Sequence, residues 1–443
     1  MTTLRTLIIA AAFLLATLLP RAAEAIVYIN IESPSGKKIP IALQETVFMK
    51  APTEAEKAAY AYVKAEMTDA LLGDMEFAGL FEVISQSAHI DEGMGLTSDQ
   101  TDFSKWRGAG AELVIKSGIS IDSGTLTVEL RLFDTVREIQ LVGKRYETEV
   151  SNPRALAHKF MDDTYLKLTG KTGIFSTKIT FSSTRTGNKE IYISDYDGKN
   201  VNQVTQNGSI NLHPRLSHDG RHILYTSYMK GQSAVYRQEL SSGKVWPVTE
   251  YKGITIGGRW SPDDKHISLA YQGPKSTEIG IIATSNWGLK QLTDNYSIDV
   301  SPAWSPDGKT IAYSSDMAGN PHIYVIDSKG GKPRRITFEG IFLSTPEYSP
   351  DGSLIAYARM DLGKFNIWVM SANGGNQSQL TFSGNNTEPS WSPDGRYIVF
   401  SRKSEGGDVS LYMIRKDGTG IRRLDIGPGN ESLPSWGPAF SAP

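Results

Sequence analysis

The sequence contains no cysteine among its 443 residues. This absence excludes a disulfide scaffold, a thiolate nucleophile and cysteine-ligated zinc or iron–sulfur sites. An excess of one charge is also missing, because 46 Lys and Arg stand against 48 Asp and Glu, a formal net charge of −2. No basic field therefore indicates nucleic acid as a partner. Beyond residue 25 there is no apolar run long enough to cross a bilayer, so we expect no direct membrane insertion.

The usual signatures of catalysis are absent as well. There is no H-E-x-x-H metalloprotease motif and no G-x-S-x-G nucleophile elbow. Three histidines, His213, His218 and His222, lie close together in the sequence. However, His218 stands where a turn proline is expected and His222 opens a strand, which favours a structural role over metal ligation. The sequence therefore predicts no catalytic residue, no cofactor and no metal.

The first 25 residues have the pattern of a secretory signal peptide. Arg5 precedes a 13-residue apolar run, LIIAAAFLLATLL. That run is shorter than the roughly 20 residues needed to span a membrane. Pro20 ends it, and Ala23-Glu24-Ala25 is a small-x-small cleavage site. We expect a mature, exported chain that begins at Ile26.

From about residue 177 the sequence repeats with a period of 44 residues. Each period holds four short segments rich in β-branched and aromatic residues, one of them ending in a WSPDG motif. Four strands in a period of this length indicate one blade of a β-propeller. One of the four segments starts 44, 44, 44, 44 and 43 residues after its predecessor, at Ile179, Ile223, Ile267, Ile311, Ile355 and Ile398.

The phase of the repeat predicts that the ring is closed. If the WSPDG strand is labelled a and the next three b, c and d, the region opens with b, c and d at 179–205 and ends with a lone strand a at 432–437. Six complete blades result only if that last strand joins the first three. An open array would need polar capping repeats. The sequence thus predicts a six-bladed propeller over 177–443, fastened by its carboxyl-terminal strand.

The aspartates of the WSPDG motif invite a catalytic interpretation, but their position argues against it. They occupy equivalent points in separate blades, so no two of them share one site. Ser-Pro-Asp-Gly is a turn sequence, in which Pro presets φ and Asp bonds to nearby backbone amides. We interpret all five as turn residues: Asp219, Asp263, Asp307, Asp351 and Asp394.

Residues 26–170 predict a small α/β domain, joined to the ring by a linker at 171–176. A helix is expected over 53–72, with Thr53 and Glu56 as a capping box and Gly73 as its end. Strands are expected at 80–85, 112–121, 124–134 and 138–150. A last helix should begin after Asn152 and end before Gly170.

The innermost strand a places a set of variable polar residues at one rim of the channel. Where equivalent residues differ between blades, a ring can present one specific surface to a partner protein. Two other functions stay open: a propeller that carries a hydrolytic site, and a propeller that binds a small molecule or glycan. The predicted docking residues are Asn211, His213, Thr255, Asp299, Ser301, Thr345, Asn386, Glu388 and Glu431.

The order of signal peptide, α/β domain and six WSPDG blades resembles the TolB family of the Tol-Pal envelope system. The segments IVYINIES and IPIA (39–42) look like the mature start of that family, and IYISDYDG (191–198) resembles its first blade. The resemblance implies a periplasmic adaptor without enzymatic activity, which we expect to be a monomer. It implies that the ring binds the peptidoglycan-associated lipoprotein Pal across its channel mouth. It further implies a role in outer-membrane integrity and in constriction during cell division.

The same resemblance assigns a second partner to the start of the mature chain. In the family, these residues are captured by the inner-membrane protein TolA. Here the corresponding residues are Ile26, Val27, Tyr28, Ile29, Asn30, Ile31 and Glu32.

Overall fold

A computed structural model describes residues 38–85, 95–248 and 253–439. The predicted signal peptide and the predicted TolA-binding segment, 26–32, lie outside these residues. None of the described helices is long and apolar enough to cross a membrane.

The amino-terminal part is a six-stranded sheet covered by helices. The strands are β1 (Ile39–Leu43), β2 (Val47–Phe48), β3 (Phe81–Val83), β4 (Leu113–Asp122), β5 (Thr125–Asp134) and β6 (Ile139–Glu149). The helices are α1 (Lys57–Ala78), α2 (Phe103–Gly108) and α3 (Pro153–Thr169). A one-turn 3₁₀ helix at Ser98–Gln100 lies between strand β3 and helix α2.

The sheet combines parallel and antiparallel pairs in the order β3-β1-β4-β5-β6, with β2 paired to β4. Strand β1 runs parallel to both neighbours, with Ile41 opposite Val83 on one side and Leu113 on the other. Strands β4, β5 and β6 form an antiparallel meander. The predicted fold class, a small α/β domain followed by the propeller, is confirmed.

The predicted end of the first long helix is wrong. Gly73 does not stop α1, since the helix continues to Ala78. The extra turn buries Met75 and Phe77. The helix ends at Gly79, whose φ of 70° is the left-handed conformation typical of a glycine cap. Burial of the last turn outweighs the cost of an internal glycine, about 1 kcal/mol.

The rest of the described chain forms six four-stranded antiparallel sheets, the blades. Blade 1 consists of strand a (Glu431–Ala439), b (Thr177–Thr186), c (Asn188–Asp195) and d (Asn202–Gln203). Blades 2 to 4 consist, in the order a to d, of Asn211–Leu216, His222–Ser227, Ala234–Glu239 and Val245–Pro247; Thr255–Trp260, His266–Gln272, Thr277–Ala283 and Leu289–Gln291; and Asp299–Trp304, Thr310–Ser315, His322–Asp327 and Arg334–Arg335. Blades 5 and 6 consist of Phe342–Tyr348, Leu354–Asp361, Lys364–Ser371 and Ser378–Gln379; and Asn385–Trp391, Tyr397–Lys403, Val409–Arg415 and Arg422–Arg423.

The ring closes as the phase of the repeat predicts. The last strand pairs antiparallel with the first b strand, with Trp436 opposite Ile179 and Glu431 opposite Ser183. The Trp436 indole donates to Thr177 Oγ1 at 2.8 Å, a contact that joins residues 259 positions apart. The two ends of the propeller therefore share one sheet, which leaves no exposed strand edge at the junction.

The WSPDG motifs form tight turns between strands a and b. In each of five blades the motif serine donates to its aspartate, at 2.6 Å in four and 2.7 Å in the fifth. The same carboxylate accepts a backbone amide two residues further on, as from Lys309 at 3.1 Å for Asp307. These aspartates are turn residues, as predicted.

The α/β domain packs on the face of the ring that carries these a–b turns. Phe77 stacks on Tyr397, with ring centroids 4.6 Å apart, and contacts Tyr196 at 4.9 Å. The Arg422 guanidinium lies 4.2 Å from the Phe77 ring centroid. Because Tyr397 follows the a–b turn of blade 6 and Tyr196 lies in the c–d turn of blade 1, the opposite face of the propeller points away from this domain.

Candidate functional site

Each strand a contains a β-bulge three residues before the aromatic position of its motif. The pairing between strands a and b shifts register at this point in every blade. The bulged residue has a positive φ, from 49° to 71°. A bulge bends its strand and redirects a side chain. The six bulged residues are His213, Gly257, Ser301, Thr345, Glu388 and Leu433.

All six bulged residues line one cavity of about 170 Å³, which we call the mouth cavity. Arg215 and Arg259 line both this cavity and a second one of about 420 Å³, the rear cavity. The rear cavity is bounded by motif residues such as Trp304 and Pro306, on the face that carries the a–b turns. Charged side chains therefore separate the two ends of the channel.

Glu347 holds these two arginines. Its Oε2 lies 2.7 Å from Arg259 Nη1 and 4.0 Å from Arg215 Nη2. Its Oε1 accepts from Ser390 Oγ at 2.8 Å and from the Trp391 amide at 3.0 Å. Burial alone would raise the pKa of Glu347, but the two arginines hold it below its usual value. The carboxylate is thus charged and fully engaged.

Two other titratable groups that line the mouth cavity, His213 and Glu388, have pKa values shifted toward their neutral forms. Burial, with Arg215 and Arg259 adding to it, lowers the pKa of His213 to about 3. Its imidazole is therefore uncharged near neutral pH. Burial raises the pKa of Glu388. This carboxyl accepts the Leu433 amide at 3.0 Å. The mouth cavity is thus lined by two arginines that contact Glu347 and by an uncharged imidazole.

Four of the nine predicted docking residues line the mouth cavity: His213, Ser301, Thr345 and Glu388. The other five are at most 2% exposed and do not line it: Asn211, Thr255, Asp299, Asn386 and Glu431.

The five buried residues stand at the start of strand a, before the bulge, and join structural elements to one another. Asn211 donates to Glu190 Oε2 at 2.8 Å, and Thr255 Oγ1 accepts the Val235 amide at 3.1 Å. Both bonds reach strand c of the preceding blade. The expectation that these side chains face the channel is wrong, because the bulge separates them from the residues that do.

The loops around the mouth cavity expose most of the propeller's large apolar side chains. Twelve of the fifteen in the described blades lie in or beside the d–a and b–c loops. We call this surface the mouth face. Its members are Ile210, Tyr228, Ile254, Ile256, Tyr296, Ile298, Met317, Phe338, Ile341, Phe342, Leu362 and Phe382. Exposed apolar surface around a concave centre is typical of a protein-binding site.

The sequence-based prediction missed this apolar ring because it considered only residues just before strand a that were polar. A signal was present. The segments TFEGIF (337–342) and TFSG (381–384) each place a Phe in a loop between strands d and a. A Phe in such a loop is not part of the strands that form the core of a blade. Apolar residues in loops that already contain Gly indicate contact with something outside the chain.

The geometry defines a six-bladed propeller with a ring of exposed apolar side chains around a small polar cavity. Two family models match most of the chain: the TolB amino-terminal domain matches residues 27–141 and the TolB beta propeller domain matches residues 165–440. The chain belongs to the TolB family of Tol-Pal system proteins.

Relatives and a solved structure agree with this assignment. The chain is 38% identical over 205 residues to the Tol-Pal system protein TolB of Desulfosudis oleivorans, and 42% identical over 161 residues to that of Geobacter metallireducens. These matches cover 45% and 36% of this chain and 45% and 37% of the relatives, less than half of their length. The crystal structure of TolB from Acinetobacter baumannii superposes with a TM-score of 0.73 at 25% identity, over 91% of this chain and 97% of that one.

Proposed function

We propose that this protein is a periplasmic adaptor of the Tol-Pal system that binds a Pal-type peptidoglycan-associated lipoprotein on its mouth face. The observation that carries the proposal is the concentration of exposed apolar side chains around the mouth cavity. In the described blades the other three exposed apolar residues, Val245, Trp246 and Ile421, lie in or beside c–d turns, and the a–b junctions are polar turns. In this role the protein binds partners and catalyses no reaction, and it supports outer-membrane integrity and constriction at division.

The size of the mouth cavity favours a protein partner over a small ligand. Its volume of about 170 Å³ is below the range of roughly 300–1,000 Å³ found for small-molecule pockets. Binding therefore has to draw on the surrounding apolar loops. Such loops are spread over five of the six blades, from Ile210 to Phe382, which suits a globular partner seated across the ring.

The proposal is tested by titrating the mature chain with the soluble domain of its own organism's Pal-type lipoprotein in a calorimeter. Phe338 and Phe382 are 72% and 79% exposed on the mouth face. Replacing both by Ser should weaken binding by about 30- to 700-fold, since apolar anchors at an interface are worth about 1–2 kcal/mol each.

A matched control replaces two equally apolar, exposed residues of the α/β domain, Val136 and Leu166, by Ser. This pair should leave the affinity unchanged. Equal losses in both double variants, or no loss in the mouth-face pair, would contradict the proposal.

We further propose that the first mature residues, 26–32, are the segment taken by a TolA-type inner-membrane protein. The sequence IVYINIE is rich in β-forming residues, and such a sequence can pair edge-on with a partner's sheet through its backbone groups. Pal binding at the ring can shift this segment between docked and free states only by its different affinity for the two. Deleting 26–33 should abolish TolA capture and leave Pal binding measurable. Unchanged affinities for both partners would show that the segment has no such role.

A further inference from the structure

A group of potential metal ligands lies between the α/β domain and blade 1, far from the mouth face. It consists of His158 on α3 and of Asp195 and Asp197 at the c–d turn of blade 1. One donor atom from each residue lies within 4.8 Å of the other two. His158 and Asp195 are at most 2% exposed, and the Asp197 side chain is 22% exposed. The ligands thus come from both the α/β domain and the propeller.

The orientation of the His158 ring is that of a metal ligand. Its Nδ1 lies 2.8 Å and 3.0 Å from the two carboxylate oxygens of Asp74, and Asp74 also accepts the Tyr196 hydroxyl at 2.7 Å. A ligating histidine almost always donates its other ring N–H to such a carboxylate, which fixes the tautomer. With the proton on Nδ1, the lone pair of Nε2 points toward Asp195.

The second ring nitrogen has no other use in the described structure. His158 Nε2 is buried and has no hydrogen-bond partner. It lies 3.8 Å from Asp195 Oδ2, which is too long for a hydrogen bond of about 2.7–3.2 Å. Two ligands bound at about 2.0–2.2 Å to one metal ion are separated by roughly 3–4 Å, so the gap fits an ion between them.

The charges around the group leave room for a cation. Three carboxylates, Asp74, Asp195 and Asp197, face two cationic side chains. Lys178 pairs with Asp195 Oδ1, and Arg154 pairs with Asp197 Oδ2 at 2.5 Å. The second oxygen of Asp195, Oδ2, accepts a hydrogen bond from the neutral amide of Asn200, whose Nδ2 lies 2.6 Å away. Arg154 also pairs with Asp69 at 2.6 Å, so the carboxylates around the group outnumber the two cationic side chains.

We propose that His158, Asp195 and Asp197 form a divalent-cation site that joins the α/β domain to the propeller. One imidazole and two carboxylates suit Zn²⁺ better than Ca²⁺ or Mg²⁺, which prefer oxygen ligands alone. A cation held by both domains stabilises their contact by mass action, because it binds the docked arrangement and not the separated one.

The test is calorimetric titration of the EDTA-treated, dialysed mature chain with ZnCl₂ alone. We expect one ion per chain, and we expect MgCl₂ at the same concentration not to compete. His158→Gln and Asp197→Asn should each weaken Zn²⁺ binding at least tenfold. Asp197 lies at the edge of the group, so Asp197→Asn keeps the test valid if His158→Gln fails to fold; circular dichroism checks both variants.

The matched control is His218→Gln. His218 is an exposed histidine whose Nδ1 lies 2.8 Å from Asp264, and it lies in an a–b turn away from the proposed site. Its variant should bind Zn²⁺ like the unmodified chain. X-ray absorption at the zinc edge should show one nitrogen and two or more oxygen ligands at about 2.0–2.2 Å. No binding at micromolar Zn²⁺, or binding lost in His218→Gln and kept in the other two variants, would overturn the proposal.

Discussion

The ion pair that closes the channel gives a quantitative prediction. Glu347→Gln keeps the shape of the side chain and its carbonyl can still accept from Ser390 and Trp391. It removes the charge opposite Arg259 and leaves that guanidinium close to Arg215 without a counter-charge. Both arginine side chains are mostly buried, at 16% and 12% exposure. Breaking a buried pair costs about 3–5 kcal/mol.

The Gln side chain keeps the hydrogen bonds to Ser390 and Trp391, so we expect the free energy of unfolding to fall by about 3 kcal/mol, the lower end of that range. This corresponds to roughly a 100-fold shift in the unfolding equilibrium. Urea unfolding followed by tryptophan fluorescence measures it, since seven of the eight tryptophans lie in the blades. The control is Asp122→Asn, which removes an equivalent charge from the exposed Lys50–Asp122 pair at 3.0 Å. That change should cost under about 1 kcal/mol. Equal, small losses in the two variants would refute the interpretation of Glu347.

Two further predictions concern the ring. Removing residues 431–443 should open blade 1 and expose the edge of its b strand. We expect a larger radius of gyration in solution scattering and the loss of a single cooperative unfolding transition. An unchanged radius of gyration and an unchanged unfolding transition would show that closure of the ring does not depend on this strand. The pKa of His213 near 3 predicts that the NMR signals of its ring protons do not shift between about pH 5 and pH 8. The variant His213→Gln assigns these signals. A titration midpoint near 6.5, the ordinary value, would show that burial and Arg215 do not lower the pKa of His213 as described.

The propeller could be predicted from the sequence because its information is repeated. A 44-residue period, a turn motif in every blade and a strand left over at the end are enough to define six blades and their closure. The α/β domain offered single copies of each signal. Strands β1 and β2 and the six-residue helix α2 were missed, since elements this short have little periodicity.

The candidate binding surface was only partly predictable for a local reason. The innermost strand was correctly identified, but a bulge separates its first residues from those that reach the channel. Asn211 and His213 are two positions apart, and an unbroken strand would place them on the same face. The bulge buries the first and turns the second toward the cavity. No residue type marks that bulge across all six blades; only Gly257 indicates the positive φ that the position requires.

The polar group between the domains left no trace in the sequence. His158 and Asp74 are 84 positions apart, and Tyr196 and Asp74 are 122 apart. Each looks ordinary in its own helix or turn. Only the packing of α1 and α3 against blade 1 brings them together.

Site-specific photo-crosslinking tests most directly whether the mouth face is the partner-binding surface. A benzophenone side chain is placed at Phe338 on that face, or at Lys309, an exposed residue of the a–b turn of blade 4 on the opposite face. With the Pal-type domain present, a covalent product should form from position 338 and not from position 309. A product from position 309 alone would contradict the proposed orientation.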